Sequence, residues 1–122
     1  METTFADFAA TQQARNDIQL KIVEHCLTLC DKLAQNFAQR HPRSSMEFEL
    51  DSSGRKYHKI WECGSNGSRS CHAFVDKKTG EVYKPASYKA PAKIVRYRLL
   101  EIASREECFN RADWAGSHLY VR

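Results

Sequence analysis

Between residues 14 and 40, apolar side chains recur at spacings of three and four: Ile18, Ile22, Cys26, Leu29, Leu33 and Phe37. A second stripe, Leu20, Val23, Leu27, Cys30 and Ala34, runs beside the first. At about 100° per residue the pattern is that of an α-helix, and the two stripes together span roughly half its circumference. A helix resting on one sheet needs a narrower apolar face. The segment is therefore expected to be covered on two sides, either by the C-terminal part of the chain or, in a homodimer, by helix 14–40 of a second copy. His41-Pro42 ends it, because a residue before proline is pushed out of the α region. Residues 1–12 are weakly patterned and are expected to be frayed or loosely docked, with Phe5 and Phe8 anchoring at most a short turn.

The period then changes to two. Met46, Phe48 and Leu50 alternate with Glu47, Glu49 and Asp51, which predicts a strand with one buried and one acidic face. Residues 56–63 read as a second strand, favoured by Tyr57 and Trp61. The Asn66-Gly67 pair is a strong hairpin signal, and residues 71–75 form a third strand. Asp76 to Gly80 make another compact turn before a short fourth strand at 81–84. Pro85 and Pro91 predict a loop. Residues 94–102 fit either a strand or a helix. Ser104 with Glu107 has the spacing of a capping box, so a short helix is expected from there through Cys108. Asp113-Trp114-Ala115-Gly116 reads as a turn that seats Trp114, and residues 119–121 as a final edge strand.

The expected architecture is α+β: one domain over residues 1–122, with a long N-terminal helix packed on an antiparallel β-meander of about four strands (45–84). A basic loop and a short C-terminal helical segment complete it (85–122). The order resembles that of double-stranded RNA-binding domains, without their loop signatures.

Composition changes this picture little. The 122 residues are 42% apolar and 28% charged, as in ordinary globular proteins. No apolar run is long enough to cross a membrane. The first residues lack the basic start and apolar stretch of a secretory signal, so a cytoplasmic protein with five reduced, mostly buried cysteines is expected.

Charge changes it more. The net charge is +4, but it is unevenly placed. Residues 1–51 carry five basic and eight acidic side chains, residues 52–98 eleven and three, and residues 99–122 three and four. A basic block flanked by acidic segments points to a polyanionic or acidic partner. Within it, Lys77 and Lys78 occupy a hairpin loop, and Lys84, Lys89, Lys93, Arg96 and Arg98 follow. Tyr83 and Tyr88 are interleaved with them. Cations neutralise phosphates and tyrosine rings stack on unpaired bases, so these nine residues are the candidate nucleic-acid contacts. A merely solvated loop is the competing reading.

The segment CHAFVDKKTGEVYKPASYKAPAKIVRYRLL, with SREECFNRADWAG and LYVR after it, resembles a group of small proteins of tailed bacteriophages. The resemblance covers about the last two-fifths of the chain. It implies a phage origin and action in the host cytoplasm of an infected cell, and carries over no activity, cofactor or catalytic residue.

Other chemistry is weaker. His58, Cys63, Cys71 and His72 lack the short knuckle spacing of zinc sites. Asp113 and His118 have no third partner for acid–base catalysis. No phosphate-binding, nucleophile-elbow or dinucleotide motif occurs. No catalytic, metal or cofactor site is expected, and no membrane association. The leading expectation is a non-enzymatic, phage-encoded protein that contacts DNA or RNA through a basic loop and sheet surface. The alternatives are a host-takeover or anti-defence protein that binds an acidic bacterial protein, and a minor virion component.

Overall fold

A computed structural model describes residues 4–120. The order is helix α1 (Phe5–Arg40), strands β1 (Met46–Asp51), β2 (Tyr57–Gly64), β3 (Arg69–Asp76), β4 (Glu81–Ser87) and β5 (Ala90–Arg98), helix α2 (Ile102–Arg111) and a 3₁₀ turn (Ser117–Leu119). The five strands pair in sequence order as one antiparallel meander. The α+β class and its layout are those expected, with five strands in place of about four.

The fifth strand arises where the prolines predicted a loop. β4 pairs with β3 only at Phe74–Tyr83 and Val75–Val82. Beyond Tyr83 it pairs on one side alone, with β5, which is an edge strand. Pro85 and Pro91 face each other there, between register shifts, where a missing N–H removes no interior ladder bond. Tyr88-Lys89 is the two-residue turn of this hairpin. The ambiguity at 94–102 resolves as strand up to Arg98 and helix from Ile102.

Residues 5–12 are helical, not frayed. Thr4 caps α1, its Oγ1 accepting from the amide of Asp7 at 3.1 Å. The helix runs 36 residues, about 54 Å. Its buried residues, Ile22, Cys26, Leu29, Cys30, Leu33 and Phe37, begin only at its midpoint. They pack against Ile60, Ala73, Val75, Val82, Tyr97 and Leu99 from one face of the sheet, and against Cys108, Ala112 and Leu119 from the C-terminal segment. Burial pushes the thiols of Cys26, Cys30 and Cys108 up to about 12, so they behave as small apolar side chains.

Ser104 does not cap α2. The helix starts two residues earlier, without a side-chain cap, and Ser104 Oγ accepts from the Arg98 amide at 2.7 Å, tying α2 to β5. The turn at 113–116 forms as expected. Asp113 accepts from the Ala115 amide at 2.9 Å and from the Ser117 hydroxyl, and Trp114 meets Phe37 and His41 edge-on at 5.0 and 5.1 Å. Leu119 belongs to the 3₁₀ turn, not to a strand; Val121, the end of that expected strand, lies outside the described residues.

Gly80 ends the β3–β4 turn at φ 72°, and a Cβ there would lie 3.3 Å from Leu100 and 3.4 Å from Ile22. Both the backbone angle and the close approach require glycine.

Candidate nucleic-acid interface

Opposed residues in an antiparallel ladder share a face of the sheet. Leu50, Ile60 and Ala73 therefore lie together towards α1, and the opposite set points away from it. That second set holds Asp51, Lys59, Phe74 and Tyr83 in one row, Glu49, Trp61 and Cys71 in the next, and Tyr57 beside Asp76. The face is aromatic at its centre and cationic above the rings. Phe74 is buried there under Tyr57, which meets it edge-on at 5.7 Å and Tyr83 at 6.0 Å. The ammonium of Lys59 sits 5.4 Å from the Phe74 ring centre and 5.6 Å from that of Trp61. Lys56 lies 5.3 Å from Tyr57, and the Arg69 guanidinium 4.6 Å from Trp61. These distances suit cation–π attraction.

The β4–β5 hairpin bends over this face. Lys59 Nζ donates to the Tyr88 carbonyl at 2.8 Å, which brings Tyr88 and Lys89 to the rim of the aromatic patch, Lys89 lying 5.4 Å from the Tyr88 ring. At the β1 edge the surface turns acidic. Asp51 accepts from Ser53 and from the Trp61 indole at 3.1 Å, and these bonds hold its carboxyl down at about 2. Glu49 pairs with Arg69 at 3.7 Å.

The nine residues singled out in the sequence do not form one patch. Tyr83, Tyr88 and Lys89 belong to the open face, and Lys93 is exposed on edge strand β5. Lys77 and Lys78 lie in the β3–β4 turn beneath α1, where Lys77 donates to the Ser52 carbonyl at 2.6 Å. Lys84 stacks on Tyr120 at 4.2 Å. Arg96 is structural, donating to the carbonyls of Leu119 and Ile94. Arg98 is neutralised by Glu81 at 2.7 Å and lies 3.9 Å from Glu101. Bulges at Val82/Tyr83 and Tyr83/Pro85 break the alternation that would have kept these cations on one side. Tyr57, Lys56, Lys59, Trp61 and Arg69 join the face instead. Their signal was parity: Tyr57, Lys59 and Trp61 alternate with the buried His58 and Ile60.

The candidate metal donors do not converge. Cys71 faces outwards opposite Trp61, whereas His72 is buried towards the helix side, against Phe48. There His72 Nε2 lies 2.9 Å from His118 Nε2, the rings stacked, and Tyr97 donates its hydroxyl to the His118 carbonyl at 2.7 Å. One ring must donate and the other accept, so the accepting ring is neutral. Burial holds His72 down at about 3 and His118 at about 4. His118 Nδ1 is buried without a hydrogen-bond partner.

Fold and surface together define a class: an α+β protein whose sheet is backed by a long helix on one face and presents rings and cations on the other. The chain belongs to a family of unknown function (DUF7717), whose profile matches residues 5–121. No curated protein and no solved structure matches it. Among the described residues, no helix is long and apolar enough to cross a membrane.

Proposed function

We propose that this is a non-enzymatic, phage-encoded protein that binds single-stranded nucleic acid across the helix-free face of its sheet, inside the infected cell. One observation carries the reading: Tyr57, Trp61 and Tyr83 share that face with Lys56, Lys59 and Arg69, and the Tyr88-Lys89 turn overhangs it. Rings at strand spacing can stack on successive bases while lysines follow the phosphates, a combination that tolerates any sequence. Lys56, Lys59, Lys89 and Lys93 supply the charge. Lys77 and Lys78 extend the basic surface around the sheet end, and Lys84, Arg96 and Arg98 are held by contacts within the fold.

Fluorescence anisotropy with mixed-sequence single-stranded DNA and RNA tests it. Binding should weaken with salt at a slope of about −0.7 per phosphate neutralised. Changing Lys56, Lys89 and Lys93 to Glu, which leaves the Lys59–Tyr88 bond intact, should abolish it with the melting temperature preserved. No binding at about 50 mM salt overturns the proposal. A bacterial protein retained in equimolar amount after nuclease treatment would replace nucleic acid with an acidic protein partner.

A further inference from the structure

In the second apolar stripe of α1, Cys30 is buried in the core, but Leu20 and Leu27 are left open by their own chain. The C-terminal segment reaches the other flank, where Phe109 meets His25 and Trp114 meets Phe37. Leu20 stays 63% and Leu27 50% exposed, and at the far end Phe5 is 85% and Phe8 55% exposed. From Phe5 to residue 21, α1 has no buried side chain. Helices of that length are marginal in water when nothing covers them.

At 100° per residue, Phe5, Phe8, Gln12, Asn16, Leu20 and Val23 fall within about 120° of arc, one continuous face. Beneath its inner end, between α1 and the start of β2, lies an open trough of about 840 Å³ lined by Leu20, Val23, His58 and Lys77.

We infer that this face pairs with the same face of a second copy, the two helices antiparallel about a two-fold axis level with Ala14. An isologous contact requires a surface complementary to itself. In this register Phe5 meets the partner's Val23, Phe8 meets the partner's Leu20, and Gln12 meets the partner's Asn16 across the centre. The large apolar positions oppose one another, Ala9 meets the partner's Gln19, and the two amides can bond each other at the axis, a polar pair that fixes alignment. Sliding the helices by one turn sets Phe8 against the partner's Glu24 and Gln12 against the partner's Leu20, so the matching is specific to one register. Charge agrees. Residues 5–20 carry Asp7, Arg15 and Asp17, whereas the trough that receives the partner's Phe5 is rimmed by Arg55, Lys56, Lys77 and Lys78 with Asp76.

The area suffices. At roughly 200 Å² per ring, the exposed parts of Phe5 and Phe8 amount to about 280 Å² per copy. Counting both copies and the surfaces these rings cover, the total passes the ~1,000 Å² of a specific interface. The contact leaves the aromatic sheet face open but closes over the trough rimmed by Lys56, Lys77 and Lys78, so it is tested on the protein alone, without nucleic acid.

Sedimentation equilibrium on the whole chain tests the inference. Wild type should sediment as a dimer at micromolar concentration. Phe8→Glu and Leu20→Glu, both at exposed positions, should each give a monomer with unchanged circular dichroism and at least a tenfold weaker association. Amide exchange across residues 8–18 should slow with concentration in wild type and not in Phe8→Glu. A monomeric wild type, a dimer that survives Phe8→Glu, or a different protein seated on this face of a monomeric chain overturns it.

Discussion

The buried pair His72–His118 makes the fold acid-labile in a calculable way. Both rings are neutral in the folded protein because burial holds their pKa values at about 3 and about 4, below the ordinary 6.5. Their charged and titratable surroundings are each other, Asp113, which favours protonation, and Arg111, which opposes it at His118. Phe48 and Tyr97 close the remaining sides with rings. Below pH 6.5 the unfolded chain takes up protons that the folded chain refuses, so stability is complete above that pH and falls as pH drops through it. At pH 5 the loss depends only on the unfolded value and on both folded values lying lower. It is 1.5 units at about 1.4 kcal/mol each, or about 2 kcal/mol per ring and about 4 kcal/mol for the pair. Against a total of roughly 5–15 kcal/mol this is a large fraction, equivalent to a drop in melting temperature on the order of 15 °C.

Urea unfolding at pH 8, 7, 6 and 5 measures it. His58 and His25 are also lowered by burial and add to the same trend, whereas Glu62, raised by burial, opposes it near pH 5. Asp51 and Asp113 are lowered from 3.8 and act only at lower pH. The decisive quantity is therefore the difference from His72→Gln/His118→Gln, whose side chains cannot titrate. That variant should lose about 4 kcal/mol less than wild type between pH 8 and 5. Parallel curves for the two proteins refute the assignment.

Three further outcomes follow from packing. Gly80→Ala should destabilise by about 1–3 kcal/mol in thermal unfolding, since φ 72° and the nearby Leu100 and Ile22 both resist a Cβ. Leu29→Ala, fully buried in the α1–sheet core, should cost about 2–5 kcal/mol in chemical denaturation. Cys26, Cys30 and Cys108 should alkylate at pH 8 only as fast as the protein unfolds, and faster labelling of all three in native buffer would contradict their burial.

What was legible in the chain was what repeats locally. The 3.6-residue stripe from Ile18 to Phe37, the alternation of Met46, Phe48 and Leu50, and the Asn66-Gly67 and Asp76–Gly80 turns all form as their spacing demands. The helix start was missed because Phe5 and Phe8 have no core to face, although Thr4 and Asp7 carry a capping spacing. The β4–β5 hairpin was missed because proline argues against a strand only where both sides of the ladder are paired, and pairing is a tertiary fact. Ser104 shows the same limit: its capping spacing is real, but the Arg98 amide competes successfully for its hydroxyl. The His72–His118 contact joins residues 46 apart, beyond any local pattern. The basic block was correctly located in sequence, yet bulges in β4 and β5 distribute it over several surfaces.

That distribution bears on how the open face would take up a ligand. Its rings are already occupied, since Lys59 and Arg69 lie over Trp61 and Lys56 over Tyr57. An exposed cation–π contact is worth about 0.5–1 kcal/mol. A base stacked on the same ring contributes about 1–3 kcal/mol. The exchange therefore favours the base, and the displaced cation is released where the phosphate of that nucleotide lies. Stacking and neutralisation thus come from one movement, and Trp61 reports it directly. In a Trp114→Phe background, saturating single-stranded DNA should quench Trp61 emission, and Arg69→Ala should strengthen the quenching per bound strand while lowering the salt slope. Binding that leaves Trp61 emission unchanged would move the ligand off this face and remove the rings from the mechanism.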